Sequence, residues 1–188
     1  MSGTAKIDLS RYASQWRMRN GLDVIVRPIC PEDEPLMVKF HQTLSDRTVY
    51  FRYFSSLSLR SRVAHERLAR ICFVDQEREF VLVAEHQDAQ SGDRKILAVG
   101  RLNKLENGQE AEIAILVADE VQKRGLGREI LRRLIQIARD ERLVRVYGEL
   151  IRDNFAIQKL LREFGFRCRL LKDPGFIRAT LDLFQNRF

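Results

Sequence analysis

Residues Ala111 to Arg139 read AEIAILVADEVQKRGLGREILRRLIQIAR, and the rest of the chain is organised around them. A short apolar, β-rich run from Ile113 to Val117 is followed by a polar turn at Asp119 and Glu120. Next comes Gln122-Lys123-Arg124-Gly125-Leu126-Gly127. From Ile130 the apolar residues fall at Ile130, Leu131, Leu134, Ile135, Ile137 and Ala138, with Arg128, Glu129, Arg132, Arg133, Arg139 and Asp140 assigned to the opposite face, the spacing of an amphipathic helix. The order is strand, glycine-containing loop, helix. A helix N-terminus offers unpaired N–H groups and the positive end of a dipole, which suits a phosphate or pyrophosphate. Gly125 and Gly127 let the main chain come close to an anion, and Lys123, Arg124 and Arg128 add positive charge. The stretch lacks the third glycine of a dinucleotide fingerprint and the Gly-Lys-Ser/Thr of a P-loop.

The flanking sequence fits one α/β domain. The length of 188 residues gives a real core, and the composition, 45% hydrophobic and 31% charged, is that of a soluble globular protein. Residues 1–14 carry little pattern and are expected as a mobile arm, with the domain running from 15 to 188. Trp16 to Arg19, Asn20-Gly21 and Leu22 to Arg27 predict a hairpin with both turn residues at positive φ. Pro28 and Pro31 end it, and Glu32, Asp33 and Glu34 open a helix to about Thr43. The aromatic group from Ser45 to Ser58 is read first as core and second as a groove wall. A helix over Val63 to Phe73 presents His65, Glu66, Arg67 and Arg70 outward.

Strands are expected at Phe80 to Ala84 and Ile96 to Leu105, the latter joined by Asn107-Gly108 to the central strand. After the long helix, Leu143 to Leu150 is a strand, which implies parallel pairing with a right-handed crossover. Asn154 caps a helix over Phe155 to Phe164 that Gly165 stops, and Phe166 to Leu171 and Phe176 to Leu183 form a closing hairpin through Asp173-Pro174-Gly175. The fold class is α/β, a mixed central sheet with helices on both faces.

Cys30, Cys72 and Cys168 lie far apart, as do His41, His65 and His86, so neither a disulfide framework nor a metal site follows. No apolar run is long enough to cross a bilayer, and a cytoplasmic protein is expected. The net charge is +7, from 33 Lys+Arg against 26 Asp+Glu. The arginines are interleaved with acids rather than striped with aromatics, an anionic cofactor and an acidic protein surface explain the balance as well, and no nucleic-acid partner is expected.

Gln-x-x-Gly-x-Gly between a strand and an amphipathic helix resembles motif A of the GNAT superfamily of N-acetyltransferases, whose loop binds the pyrophosphate of acetyl-CoA. Arg27-Pro28, Asn154 and Phe164-Gly165-Phe166 extend the likeness over nearly the whole chain. WRMRNGLDVIVRPI (Trp16 to Ile29), Pro31 to Pro35, YFRYF (Tyr50 to Phe54), the Val63 to Ile71 helix followed by Asp75 and Arg78-Glu79, and Asp173-Pro174-Gly175 are similar to the catalytic domain of bacterial Pat-type protein lysine acetyltransferases. The resemblance implies acetyl transfer from acetyl-CoA to a protein lysine, acyl-CoA synthetases being typical acceptors. It implies cofactor contacts from Leu116, Val117, Gln122, Lys123, Arg124, Gly125, Leu126, Gly127, Arg128 and Asn154, and no metal. Glu112, ten residues before Gln122, takes the place of the catalytic glutamate as general base, with Glu110 on the same side of the strand in reserve. The N–H groups near Leu116 and Val117 are the expected donors to the thioester oxygen. Leu161 stands where many members carry a tyrosine acid. A small-amine acetyltransferase and a non-catalytic acyl-CoA sensor are the alternative readings.

Overall fold

The computed structural model describes residues 9–75 and 77–184. Eight strands form one sheet in the order β1-β2-β3-β4-β5-β6-β8-β7, with strands at Ser14–Arg17, Asp23–Pro28, Glu79–Gln87, Arg94–Lys104, Glu110–Val117, Arg145–Ile151, Arg167–Leu170 and Phe176–Asp182, numbered β1 to β8 in chain order. Among the described residues only β5 and β6 are parallel neighbours; every other pair is antiparallel. Six α-helices accompany them among the described residues: α1 (Glu34–Gln42), α2 (Asp46–Tyr53), α3 (Leu59–Arg62), α4 (His65–Cys72), α5 (Leu126–Asp140) and α6 (Phe155–Glu163).

Helix α5 packs on one face of the sheet through Ile130, Leu131, Leu134, Ile137 and Ala138, all fully buried. It can approach because β4 carries Gly100 beneath it. A Cβ there would fall 2.3 Å from Ile130 Cγ2 and 3.1 Å from Leu134 Cδ1. The opposite face is covered by α1, α2 and α4, which bury Met37, Phe40, Val49, Leu68 and Cys72. The helical period also mispredicts two positions. Glu129 and Arg133, assigned to the polar face, are only 7% and 8% exposed. They pair at 2.7 Å within the helix, and Arg133 also donates to the carbonyls of Tyr12 and Val26, so its guanidinium ties α5 to the N-terminal turn and to β2.

Local turns explain other departures. In the first hairpin Gly21 N–H donates to Met18 O and only Gly21, not Asn20, takes positive φ, which marks a three-residue loop with a glycine bulge. Of the stretch read as an arm, residues 1–8 lie outside the described residues. Leu9–Tyr12 forms a 3-10 turn whose Tyr12 hydroxyl donates to Asp140 at 2.8 Å. The helix expected over Val63 to Phe73 is present as α4, which begins two residues later at His65, and a separate short helix, α3, capped by Ser58, precedes it.

Candidate active site

Strands β5 and β6 run side by side for only three register pairs, Glu110 with Arg145, Ala111 with Val146 and Glu112 with Tyr147. Beyond Glu112 they part. Gly148 sits at the fork, where a Cβ would lie 3.2 Å from the Ile113 carbonyl. The opening continues into a cleft of about 680 Å³ bounded by β5, β6, α2, α6 and the loop before α5.

The parting frees main-chain donors on one side of β5. Ala118 N–H donates to Leu97 O, and by antiparallel alternation Leu116 and Ala114 also face β4. The N–H groups of Val117 and Ile115 therefore face the gap. This corrects the expectation for Leu116, whose N–H belongs to the β4 ladder; Leu116 borders the cleft without offering a donor to it.

The loop after β5 is shaped by Asp119. Its carboxylate accepts from Ser45 N–H (2.9 Å), the Ser45 hydroxyl (2.8 Å) and the Thr48 hydroxyl (2.9 Å), pinning the start of α2 to the loop. Burial pushes the Asp119 carboxyl up, but these bonds outweigh it and hold the group below its ordinary value. The Gln122 amide donates to Val117 O and the Thr48 hydroxyl, both at 3.2 Å. Its side chain therefore braces the loop while lining the cleft. Lys123 (φ 61°) and Gly125 (φ 92°) adopt left-handed backbone on either side of Arg124. Gly125 is the N-cap of α5 and has no side chain to cap it, so the first amides of this fifteen-residue helix face the opening.

Lys123, Gly125, Gly127, Arg128 and Asn154 line the cleft. Arg128 is paired with Glu163, and Asn154 accepts from Ile157 N–H as the cap of α6. Two predicted contacts fall elsewhere. The Arg124 side chain borders a separate small depression beside His86 and Lys95, and the Leu126 side chain is in the core, leaving only its main chain near the opening. Arg19, absent from the sequence reading, lines the cleft, and its Nε would be 3.6 Å from a Cβ on Gly125. It reaches the loop only because the β1–β2 hairpin folds over it, a contact across some hundred residues that no local pattern announces.

Glu112 lines the floor of the cleft at the point where the strands separate. Among the described residues no ion pair or hydrogen bond engages its carboxylate. Glu110 instead pairs with Arg145 at 2.9 Å and does not border the cleft. On the α2 wall stand Arg47, Phe51, Arg52 and Phe54. The aromatic group that reads as core thus splits: Val49 is buried, Phe51 and Phe54 line the groove, and Tyr50 is 46% exposed. Leu161, at the usual tyrosine position, is buried against the same cleft.

A sheet that opens beside an uncapped, glycine-led helix is the arrangement the sequence resemblance anticipates, and family comparison decides its membership. The model of the acetyltransferase (GNAT) domain matches residues 23–167. The chain belongs to the GNAT acetyltransferase family. It is 27% identical over 147 residues to acetyltransferase PA5475 of Pseudomonas aeruginosa, covering 78% of this chain and 76% of that protein. It is also 27% identical over 168 residues to acetyltransferase Pat of Mycolicibacterium smegmatis, covering 89% of this chain but only 48% of that protein, so it spans about half of that relative's length. Among solved structures, the GNAT domain of S. lividans PAT superposes with a TM-score of 0.80 at 25% identity, over 93% of this chain and 98% of that one. This GNAT chain is accordingly an acetyl-CoA-dependent acetyltransferase. Among the described residues no helix is long and apolar enough to cross a membrane.

Proposed function

We propose that this GNAT enzyme transfers acetyl from acetyl-CoA to the ε-amine of a protein lysine, with Glu112 as general base and an acyl-CoA synthetase as the first acceptor to test. The observation that carries the reading is the position of Glu112: an unpaired carboxylate at the fork of two strands, on the floor of a cleft whose rim holds an anion-ready helix end. The likeness to two Pat proteins supports a protein acceptor.

The residues present suit the cosubstrate. The open amides at the start of α5, the left-handed Lys123 and Gly125, and the cations Arg19, Lys123 and Arg128 form a cradle for a pyrophosphate. Acetyl-CoA supplies an activated acyl thioester. The chain does the rest. Val117 N–H, unclaimed by a neighbouring strand, donates to the thioester oxygen as negative charge grows there, with Ile115 N–H next along the gap. An acceptor ammonium has an ordinary pKa of ~10.4 and must lose a proton before it can attack. Glu112, directly or through water, accepts that proton. No tyrosine, histidine or cysteine among the described residues lines the cleft, so none of these side chains stands ready to protonate the departing coenzyme thiolate.

The test is acetyl-CoA consumption by the purified chain with an acyl-CoA synthetase, followed by mass spectrometry of the acceptor, alongside Glu112→Gln. Lysine acetylation that falls by about 10²–10⁴ in the variant while acetyl-CoA still binds is the expected result. Cofactor binding with no acetylated protein overturns the protein acceptor, and equal activity of both enzymes overturns the base.

A further inference from the structure

The two walls of the cleft differ in charge. Glu112, Glu149 and Asp153 belong to the β5, β6 and α6 side, whereas α2 contributes Arg47 and Arg52. Neither arginine forms an ion pair with an acid among the described residues. Their guanidinium groups lie instead over aromatic rings, Arg47 over Phe51 at 5.2 Å and Arg52 over Tyr53 at 5.1 Å.

Behind Arg52 the excess of cations deepens. Arg67 lies over the same Tyr53 ring at 4.7 Å, and its buried Nε has no hydrogen-bond partner. Arg62, only 5% exposed, donates from Nη1 to the His41 carbonyl at 3.0 Å and leaves its Nε unpartnered. His41 is 1% exposed with neither ring nitrogen bonded; burial first, then Arg62, Arg67 and Arg52, push its pKa down to about 4. The nearby Arg101 is already neutralised by Glu79. Buried cations are normally matched by acids, because desolvation without a partner is costly. Among the described residues these three guanidiniums and the orphan imidazole have no dedicated carboxylate, a region short of one anion, and Arg52 is the member that opens onto the cleft, within the electrostatic reach of Glu112.

We propose that Arg52, with Arg47 at the rim, receives a carboxylate of the acceptor, so that the preferred target lysine is one flanked by aspartate or glutamate. The inference rests on the protein-acceptor reading above and specifies its substrate class. An arginine fork matches a carboxylate with two parallel hydrogen bonds, which a lysine flanked by neutral residues cannot supply. The acceptor is then held at two points of opposite sign, its ammonium at Glu112 and its carboxylate at Arg52. A neutral flank leaves Arg52 unpaired in a partly dry site, the situation in which polar sites discriminate best.

The experiment compares matched single-lysine peptides that differ only in glutamate or glutamine, placed in turn at each neighbouring position. The expected kcat/KM favours a glutamate peptide by on the order of tenfold or more, mainly through KM. In Arg52→Gln the ratio falls towards one, and Arg52→Lys restores part of it; circular dichroism and thermal melting of both variants exclude loss of fold. A second pair, a small amine bearing a carboxylate and the corresponding amide, separates this inference from the function it rests on. Silent peptides with a carboxylate preference among the small amines that Arg52→Gln removes would refute the protein acceptor and leave the carboxylate site standing. A preference absent from whichever series reacts, or a wild-type enzyme that instead gains from succinyl-CoA over acetyl-CoA with the glutamine peptide, overturns the proposal. So does silence in both series.

Discussion

Two glutamates on one face of β5 divide their work by their partners. Glu110 is held by Arg145, while Glu112 faces the cleft without an ion pair among the described residues. Glu110→Gln is therefore expected to keep kcat/KM within about threefold, since a partly exposed ion pair contributes little, whereas Glu112→Gln removes the proposed base. Steady-state kinetics on both variants checks the contrast. His41 gives a pH prediction. Its ring takes up a proton near ~6.5 in an unfolded chain, but in the fold its pKa is pushed down to about 4. Between those values the unfolded chain binds the proton more tightly, so stability present above pH ~6.5 is lost as the pH falls towards 4, by on the order of 3 kcal/mol from this group. Urea unfolding at pH 7 and pH 4.5 is expected to show a smaller drop for His41→Gln than for the wild type. Glu112 was singled out by the family resemblance, which places its glutamate ten residues before Gln122, and its side chain borders the cleft. Arg19 and Arg52 were not, since each reaches the cleft through packing that no short-range pattern encodes.

At the scale of elements, the strand and helix order is written in alternation and helical spacing, and the strand–loop–helix around Gly125 lies where the sequence puts it. The misreadings occur where tertiary contact overrides a local preference. Arg133 and Glu129 are buried because each neutralises the other. Phe51, and Phe54 just past the end of α2, line the groove because that helix buries only Val49 towards the sheet. Gly100 gives a test at this scale. Gly100→Ala forces a methyl into Ile130 and is expected to cost about 1–3 kcal/mol by overpacking, read in chemical denaturation. Because α5 must then lift from the sheet, the affinity for acetyl-CoA should fall in the same variant. Unchanged affinity with lowered stability would separate the helix from the cradle.

The whole molecule consists of two stretches of sheet, β1 to β5 and β6 to β8, joined at a short parallel seam. A ligand lodged between them binds the folded state alone, so acetyl-CoA at a hundredfold excess over its Kd should stabilise the chain by about 2.7 kcal/mol. A rise in the thermal midpoint checks this, and Gly125→Ala, which places a side chain at φ 92°, should blunt it. The net charge of +7 suits an anionic cosubstrate but identifies neither wall of the cleft. That division appears only once α2 and β6 face each other.

The fork in the sheet also leaves a mark that needs no substrate to observe. Along β5 and at the residue just past it, Ala114, Leu116 and Ala118 have amides turned to β4, while the intervening Ile115 and Val117 face the gap. In deuterated water this strand, at the middle of an eight-stranded sheet, should behave as half a ladder: every second proton retained for as long as the core holds, and those between lost early. Filling the gap should slow the early ones alone, so that a ligand is recorded as the missing rungs of a single strand.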